Sequence, residues 1–488
     1  MFEQIAHSRL AVGLLAVLAI GAFVAFFLGR RRAIGIVSGK TRDLHSRPNY
    51  HGYLVALTFL LPGLAVLAFN AILGEVLADR MALSRLPADI ASLDPAAKLE
   101  RISAAHELAE RPLSDPFALE GETIDPSVRA YAGLAAEIRG QVKLAAVALA
   151  SFLSLIGLAF ALIRIRRELR ARNQVEGAIR ALLMICSGVA IATTLGIVLS
   201  LVFETARFFG EVPPTEFLFG LKWSAQTNIR PDQVGSSGAF GAVPLFYGSL
   251  LITFIAMVVA APVGLFSAIY LSEYAGPRLR RSVKPILEVL AGVPTVVYGF
   301  FALLTVAPAV RAFGDWLNDL ILAAAPWLEG PVIDAQPTSA LAAGLVMGVM
   351  IIPFVSSLSD DVINAAPQSL RDGAFALGAT KSETVRHVIL PAALPGVVAA
   401  LLLAVSRAVG ETMIVVMAAG QRAQITPDPF QDVTTITVQI VDLLTGDTEF
   451  DSPKTLSAFA LGFGLFLITL LFNLIAQRVV KAYREKYE

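Results

Sequence analysis

Residues 404–420 read AVSRAVGETMIVVMAAG, which sets an arginine and a glutamate inside a long apolar run. Arg407 and Glu411 are four residues apart, a spacing that puts two side chains on one helix face within reach of each other. Gly410 beside them leaves room for another backbone or a solute. An ion in the apolar interior of a membrane is costly, and it either pairs internally or lines a path. Arginine offers a planar fork that matches two phosphate oxygens, while Glu411 could accept a proton-bearing oxygen or park the arginine between cycles. The plainer alternative is an ion pair that only fixes helix packing.

A second polar stretch, RDGAFALGATKSETVRHVILP at 371–391, lies between two apolar runs. It reads as two helices, one running through VINAAPQSLRDGAFAL and stopping at Gly378, the next capped by Thr380 with Glu383 three residues later, a capping box. Phe375 and Leu377 project near that glycine corner, and apolar side chains exposed in such a polar setting call for a partner protein.

The elements that must carry these residues are membrane helices. The chain has 488 residues, 56% of them hydrophobic and 16% charged, with a mean hydropathy of +0.69, well outside the range of an ordinary soluble domain. Runs long enough to cross a hydrocarbon core of ~30 Å occur at 9–29, 53–74, 143–163, 181–203, 245–271, 286–309, 338–358, 391–420 and 456–476. The expected fold class is therefore all-α and polytopic, with about nine spans. The first run is followed by GRRRAIG rather than a small-residue cleavage site, so it is expected to be a retained span. From Pro391 to Arg407 there are sixteen residues, about 24 Å of helix, which sets the arginine well within the membrane.

Basic residues collect at Arg30–Arg32 with Lys40, Arg42 and Arg47, at Arg164–Arg172, at Arg278–Lys284, and in the tail QRVVKAYREKYE. Nine spans put all four clusters on one face, which the positive-inside rule makes cytoplasmic. The intervening segment 79–142 holds eleven acidic against seven basic residues. The expected topology has the N-terminus outside, the C-terminus in the cytoplasm, and the elbow on the inner face. Two blocks are expected: 1–180, three spans with a hydrophilic extracytoplasmic insert at about 76–142, and 181–488, six spans. Residues 205–244 are rich in aromatics, Gly and Pro, which suits either an ordered outer lobe or re-entrant segment, or a simple aromatic belt with a loop.

Other motifs carry less. GIVSGKT, at Gly35–Thr41, has three residues between its first Gly and the Gly-Lys where a phosphate-cradling loop needs four, and no strand precedes it. ATP binding by this chain is not expected, and neither is a cofactor, a metal site, a catalytic residue or a nucleic-acid partner. Cys186, the only cysteine, is expected to be a reduced, packed thiol.

The elbow resembles the signature of inner-membrane permeases of binding-protein-dependent ABC importers: Glu-Ala-Ala, three residues, Gly, nine residues, Ile-x-Leu-Pro. Asp372, Gly373 and Ala374 stand at the first three positions, Gly378 at the glycine, and Val388, Leu390 and Pro391 at the end, with every spacing kept. Asp for Glu, Gly for Ala and Val for Ile are mild departures. The resemblance implies that Asp372, Gly373, Ala374, Phe375, Leu377, Gly378, Leu390 and Pro391 couple the chain to a cytoplasmic ATPase. Arg407, Ala408, Gly410, Glu411 and Thr412 likewise resemble the Arg-Ala-x-Gly-Glu-Thr signature of Pst-type phosphate importer permeases.

FGAVPLFYGSLL, ILEVLAGVPTVVYGFF and MGVMIIPFVSSLSDDVINAAP extend the likeness over roughly 180–488, closest to the C-subunit type, with residues 1–180 similar to the extra N-terminal module of longer C-subunits. This implies a type I permease core of six helices and a phosphate path through Arg407, Gly410, Glu411 and Thr412. It also implies three partners beside membrane lipid: a second permease forming a heterodimer, a cytoplasmic ATPase dimer and an extracytoplasmic phosphate-binding protein. Residues 205–244, 310–337 and 421–455 would face the binding protein. The competing readings are a permease for sulfate or molybdate and an ion-coupled secondary transporter, for which Glu288 is the main extra candidate.

Overall fold

The computed structural model describes residues 2–484 apart from 87, 92–93, 95–96, 99–100, 106–124, 226–237, 326, 328–329, 331 and 446–451. The chain divides into two compact units, Met1–Ile191 and Ala192–Glu488. Among the described residues, eight helices are long and apolar enough to cross a membrane. The ninth expected run, 9–29, falls on a helix of 35 residues, part of which lies outside the described side chains.

In the first unit, α1 (Phe2–Ile36), α2 (Pro48–Leu83) and α3 (Pro126–Arg164) are the long elements. α2 packs closely on both neighbours through glycine. A Cβ at Gly157 would stand 2.0 Å from the Thr58 carbonyl oxygen, and one at Gly29 2.9 Å from that of His51. Helices in lipid gain little from burying apolar surface against each other, so close backbone approach at small residues is what holds them. Leu18, Ala25, Val55, Phe59 and Ala161 fill the contact. Toward the insert, Arg139 pairs with Asp79 at 3.1 Å, and Asp125 caps α3 by accepting from the Ser127 amide at 2.9 Å. The bonds from the Ser127 hydroxyl and amide, helped by Arg101, which also pairs with Asp125, hold the Asp125 carboxyl below its ordinary range. The remainder of the insert expected at 76–142 lies largely outside the described residues. Gly35–Thr41 is the end of α1 followed by a turn, with Ser38 and Gly39 at φ 48° and 84°.

The helix α4 (Ala171–Glu211) carries Cys186, which is exposed rather than packed. An apolar run can show a thiol to lipid as readily as to protein, so composition could not decide this. The second unit continues with α5 (Val243–Tyr274), α6 (Pro277–Ala291), α7 (Thr295–Ala324), α8 (Ala340–Ala365), α9 (Gln368–Ala376) and α10 (Lys381–Val409), then α11 (Met413–Ala418), α12 (Ile436–Leu444) and α13 (Pro453–Arg484). α8 is its most enclosed span. Gly344, Gly348 and Gly264 let α8 and α5 meet closely, around a core of Ile252, Ala256, Met347, Ile351, Val355 and Ala404.

Two expected spans are placed differently. The run 286–309 is not one helix: α6 stops at Ala291, Pro294 caps the next helix, and the span itself runs from Thr295 to Ala324. Proline lacks the amide that would continue the ladder and biases the residue before it away from helix, while the flanking composition stays apolar and hides the break. The run 391–420 ends as a helix at Val409, with Gly410 as its cap, and the helix begins earlier, at Lys381.

At the end of the second unit opposite the elbow, the described parts of the loops are ordered. A short helix, Pro214–Phe219, leads to strand β1 (Trp223–Ser224), paired antiparallel with β2 (Ala239–Phe240). Phe208, Phe209, Phe217, Trp223 and Phe240 form an aromatic cluster. Trp223 Nε1 donates to Gln439 Oε1 at 2.8 Å, tying that cluster to α12.

Candidate functional site

The elbow is built from local rules. α8 ends at Ala365 because Pro367 follows, and Pro367 then caps α9. The single helix expected through VINAAPQSLRDGAFAL is therefore two, broken at Ala366–Pro367, as the restriction on a residue preceding proline requires. α9 closes with the Leu377 amide donating to the Gly373 carbonyl at 3.2 Å, Gly378 to Phe375 at 3.0 Å and Ala379 to Ala374 at 3.1 Å. Gly378 takes φ +86°, the left-handed conformation of a glycine helix stop. Thr380 then opens α10 with the expected capping box: its amide donates to Glu383 Oε2 at 2.8 Å and its hydroxyl accepts from the Glu383 amide at 3.3 Å.

Phe375 is 46% and Leu377 91% exposed. Asp372 Oδ1 accepts from Gln368 Nε2 at 3.3 Å, Gly373 faces open space, and Ala374 is half-buried. Leu390 is half-buried and Pro391 exposed. A π-helical turn, Val385–Ile389, precedes Pro391, the kind of local adjustment that accommodates a proline inside a helix.

What holds the elbow was not visible in the motif. Arg371, 9% exposed, bonds Glu273 Oε1 through Nη2 at 2.8 Å and Nε at 3.1 Å, and it also donates to the carbonyls of Ile363 and Ala366 at 2.8 Å each. These bonds join α9 to the ends of α5 and α8. One turn earlier on α8, Asp360, its side chain 3% exposed, binds Arg280 at 3.1 Å and Lys284 at 2.9 Å and so fastens α6 to α8. The Asp360 carboxylate beside Lys284 raises the pKa of that ammonium.

Arg407 lies near the far end of α10 and is exposed on the isolated chain. It does not share a helix face with Glu411, because the helix has ended two residues earlier, and no ion pair joins the two. The guanidinium stands over the Phe354 ring of α8, 5.5 Å from its centroid. Glu411 Oε1 instead accepts from the Met413 amide at 3.2 Å, at the start of α11. The Glu411 carbonyl accepts from Thr437 Oγ1 at 2.9 Å, and Thr412 Oγ1 donates weakly to the Gly410 carbonyl at 3.4 Å. A Cβ on Gly410 would meet nothing closer than 3.7 Å.

The four residues of the expected path thus stay together at a helix break, with Phe354 as an unforeseen neighbour. Glu288, expected near the inner end of a span, lies on α6 and lines a cavity with Lys284, Phe354 and Asp360. Among the described residues, no three of His, Cys, Asp and Glu gather as a metal site would need.

A family model described as a binding-protein-dependent transport system inner membrane component matches residues 260–485. One described as a phosphate ATP-binding cassette transporter matches 14–193. The chain is 31% identical over 311 residues to the probable ABC transporter permease protein YqgH of Bacillus subtilis, covering 63% of this chain and 91% of that protein. It is 34% identical over 244 residues to the phosphate transport system permease protein PstC of Mesorhizobium japonicum, covering 49% and 72%. Against PstC 1 of Mycobacterium tuberculosis it is 35% identical over 253 residues, covering 50% and 72%. With its polytopic helical fold, the chain belongs to the PstC-type permease family of binding-protein-dependent ABC transport systems, in a form that carries an additional N-terminal module.

Proposed function

We propose that this chain forms one half of a translocation path for inorganic phosphate across the cytoplasmic membrane, with Arg407, Gly410, Glu411 and Thr412 on the path. The observation that carries the reading is Arg407 itself: a guanidinium deep along α10, exposed on this chain and resting on an aromatic ring instead of a carboxylate. A cation there is too costly to leave against lipid tails, so a second chain and an aqueous passage are the surroundings it calls for. Its N–H donors are left for an oxyanion. The relatives named as phosphate permeases supply the cargo.

The partners follow from the family. A second permease completes the path as a heterodimer, and a phosphate-binding protein delivers from outside. An ATPase dimer works in the cytoplasm, since this chain is a transport subunit and the hydrolysis belongs to another protein. The elbow from Asp372 to Gly378, with Leu390 and Pro391 at its end, is the contact for that ATPase, because Phe375 and Leu377 stand exposed at its corner. The basic clusters put this elbow and the C-terminus on the cytoplasmic side and the N-terminus outside. Residues 1–180 are a separate module, and 181–488 the permease.

The test is phosphate uptake and coupled ATP hydrolysis by the assembled importer carrying Arg407→Gln. Uptake should be lost while the complex still purifies intact, and normal uptake would overturn the assignment. Uptake of radiolabelled sulfate or molybdate in preference to phosphate would keep the path and change the cargo.

A further inference from the structure

Four residues of α1, Phe23, Phe26, Phe27 and Arg30, recur at the spacing that sets side chains on one helix face. Their rings touch in series: the centroids of Phe23 and Phe27 are 4.8 Å apart, and those of Phe27 and Phe26 5.3 Å. The ladder then crosses to α2, where Phe26 lies 4.9 Å from Tyr53 and Tyr53 6.4 Å from Tyr50. Tyr50 is in the first turn of α2, which Arg47 caps. A Cβ at Gly29 would stand 2.9 Å from the His51 carbonyl oxygen, so Arg30 is level with that first turn. Phe23, Phe27 and Tyr53 are exposed, and so are both arginines.

The base beneath the arginines is ordered. The His45 amide donates to the Arg167 carbonyl at 3.1 Å and the Arg172 amide to Ser46 Oγ at 3.3 Å, which ties the loop after α1 to the loop after α3 over buried Val37, Leu44 and Ile165. Segments 30–47 and 164–172 hold eleven Lys or Arg against two acidic residues. No carboxylate among the described residues pairs with Arg30 or Arg47. A guanidinium fork left free in this way suits a phosphate, and a basic pocket between membrane helices is a headgroup site. A soluble acidic partner would account for the arginines alone. It would leave uncovered the rings that descend from Arg30 to Phe23, seven residues or about 10 Å of helix deeper.

We propose that the face where α1 meets α2 binds an anionic phospholipid, its phosphate held by Arg30 and Arg47 and its acyl chains laid along Phe23, Phe27 and Tyr53. Under the orientation proposed above this is a lipid of the cytoplasmic leaflet. The site depends neither on the cargo nor on Arg407.

The test uses the assembled importer in phosphatidylcholine nanodiscs doped with diazirine-bearing phosphatidylglycerol or, separately, with diazirine-bearing phosphatidylcholine. After irradiation, labelled peptides are mapped by mass spectrometry. Residues 23–53 should take severalfold more label from phosphatidylglycerol, and excess inorganic phosphate should not compete. Arg30→Gln with Arg47→Gln should abolish the preference, and Tyr53→Leu should lower labelling by both lipids. Arg278→Gln with Arg281→Gln, in another basic cluster, should change neither. Equal labelling by the two lipids in the native importer overturns the site, and that measurement needs no variant. Label confined to other subunits overturns it too, because protein would then cover the face. A preference that survives the loss of Arg30 and Arg47, or falls equally on losing Arg278 and Arg281, would reduce the effect to general surface charge. Displacement by inorganic phosphate would make this a free-anion site and not a lipid one.

Discussion

Arg371 and Glu273, ninety-eight residues apart in sequence, meet as a nearly buried ion pair, with Nη2 to Oε1 at 2.8 Å and both side chains 11% exposed. The arginine also satisfies the end carbonyls of α8, so one side chain fixes α9 to two spans. It is a side-chain tie between the elbow and α5 that also grips the end of α8. Removing one member of a buried pair strands the other charge and costs about 3–5 kcal/mol. Arg371→Ala should therefore loosen the elbow, seen as faster hydrogen exchange over 368–376, and should lower ATP-driven uptake more than it lowers ATPase activity. Arg371→Lys, which keeps the charge but not the fork, should fall between. Unchanged exchange and uptake in Arg371→Ala would exclude a mechanical role for the pair.

Gly378 at φ +86° is the corner of the elbow. A side chain there carries the left-handed penalty of about 1–2 kcal/mol, although space is open around it, with nothing within 4 Å of an added Cβ. Gly378→Ala should thus be a mild strain on an intact fold. Gly378→Asp, which adds a charge beside the exposed Phe375 and Leu377, should cost the ATPase its hold. Co-purification of the ATPase with each variant separates the two effects, and wild-type stoichiometry with normal transport in Gly378→Asp would count against the docking assignment.

The parts of this molecule readable in the sequence are those decided within a few residues. The corner at Gly378 and the Thr380–Glu383 capping box depend only on their own turn, and both stand as read. Six apolar runs coincide with candidate spans, and two more overlap spans whose ends lie elsewhere, because length and composition are all a span requires. The breaks at Gly292–Pro294 and Gly410 were missed because the surrounding residues stay apolar through them, so a hydropathy window carries across. The break at Gly410 in turn undid the Arg407–Glu411 pairing, which assumed an unbroken helix. Glu273 for Arg371, Asp360 for Lys284 and Phe354 for Arg407 are partners supplied by tertiary packing, and no local periodicity encodes them.

Asp360 holds α6 to α8 through Arg280 and Lys284. Because α6 has no buried residue of its own among those described, Asp360→Asn should free it, with exchange over 277–291 rising markedly. The expected cost is about 1–3 kcal/mol, below that of a fully buried pair because both cations are about one-third exposed. The pH dependence has a definite sign. The pKa of Lys284 is raised by Asp360, so its contribution is complete below the ordinary lysine value and fades only as pH climbs through the raised one. Exchange of 277–291 in the native protein should therefore be flat, after correction for intrinsic rates, between about pH 6 and 9. A transition inside that window would mean another group controls the latch.

Arg407 and Glu411 have separate partners at the helix break, and their independence can be measured. If they formed an ion pair, neutralising one would strand the other, and the double variant would be less impaired than the two single losses combined. Here Arg407 rests on Phe354, while Glu411 accepts from the Met413 amide and its carbonyl receives the Thr437 hydroxyl. With no shared partner, the losses in uptake from Arg407→Gln and Glu411→Gln should add within about 0.5 kcal/mol on a logarithmic scale. The exchange Arg407→Glu with Glu411→Arg should recover nothing, since it puts a carboxylate against a ring face and a cation at the amino end of α11, where the helix dipole disfavours positive charge. Arg407→Lys should keep part of the uptake, because an ammonium preserves the charge and the ring contact while losing the fork. Recovery by the exchanged pair, or a coupling energy well above that limit, would restore the direct ion pair and place Phe354 in a passive role.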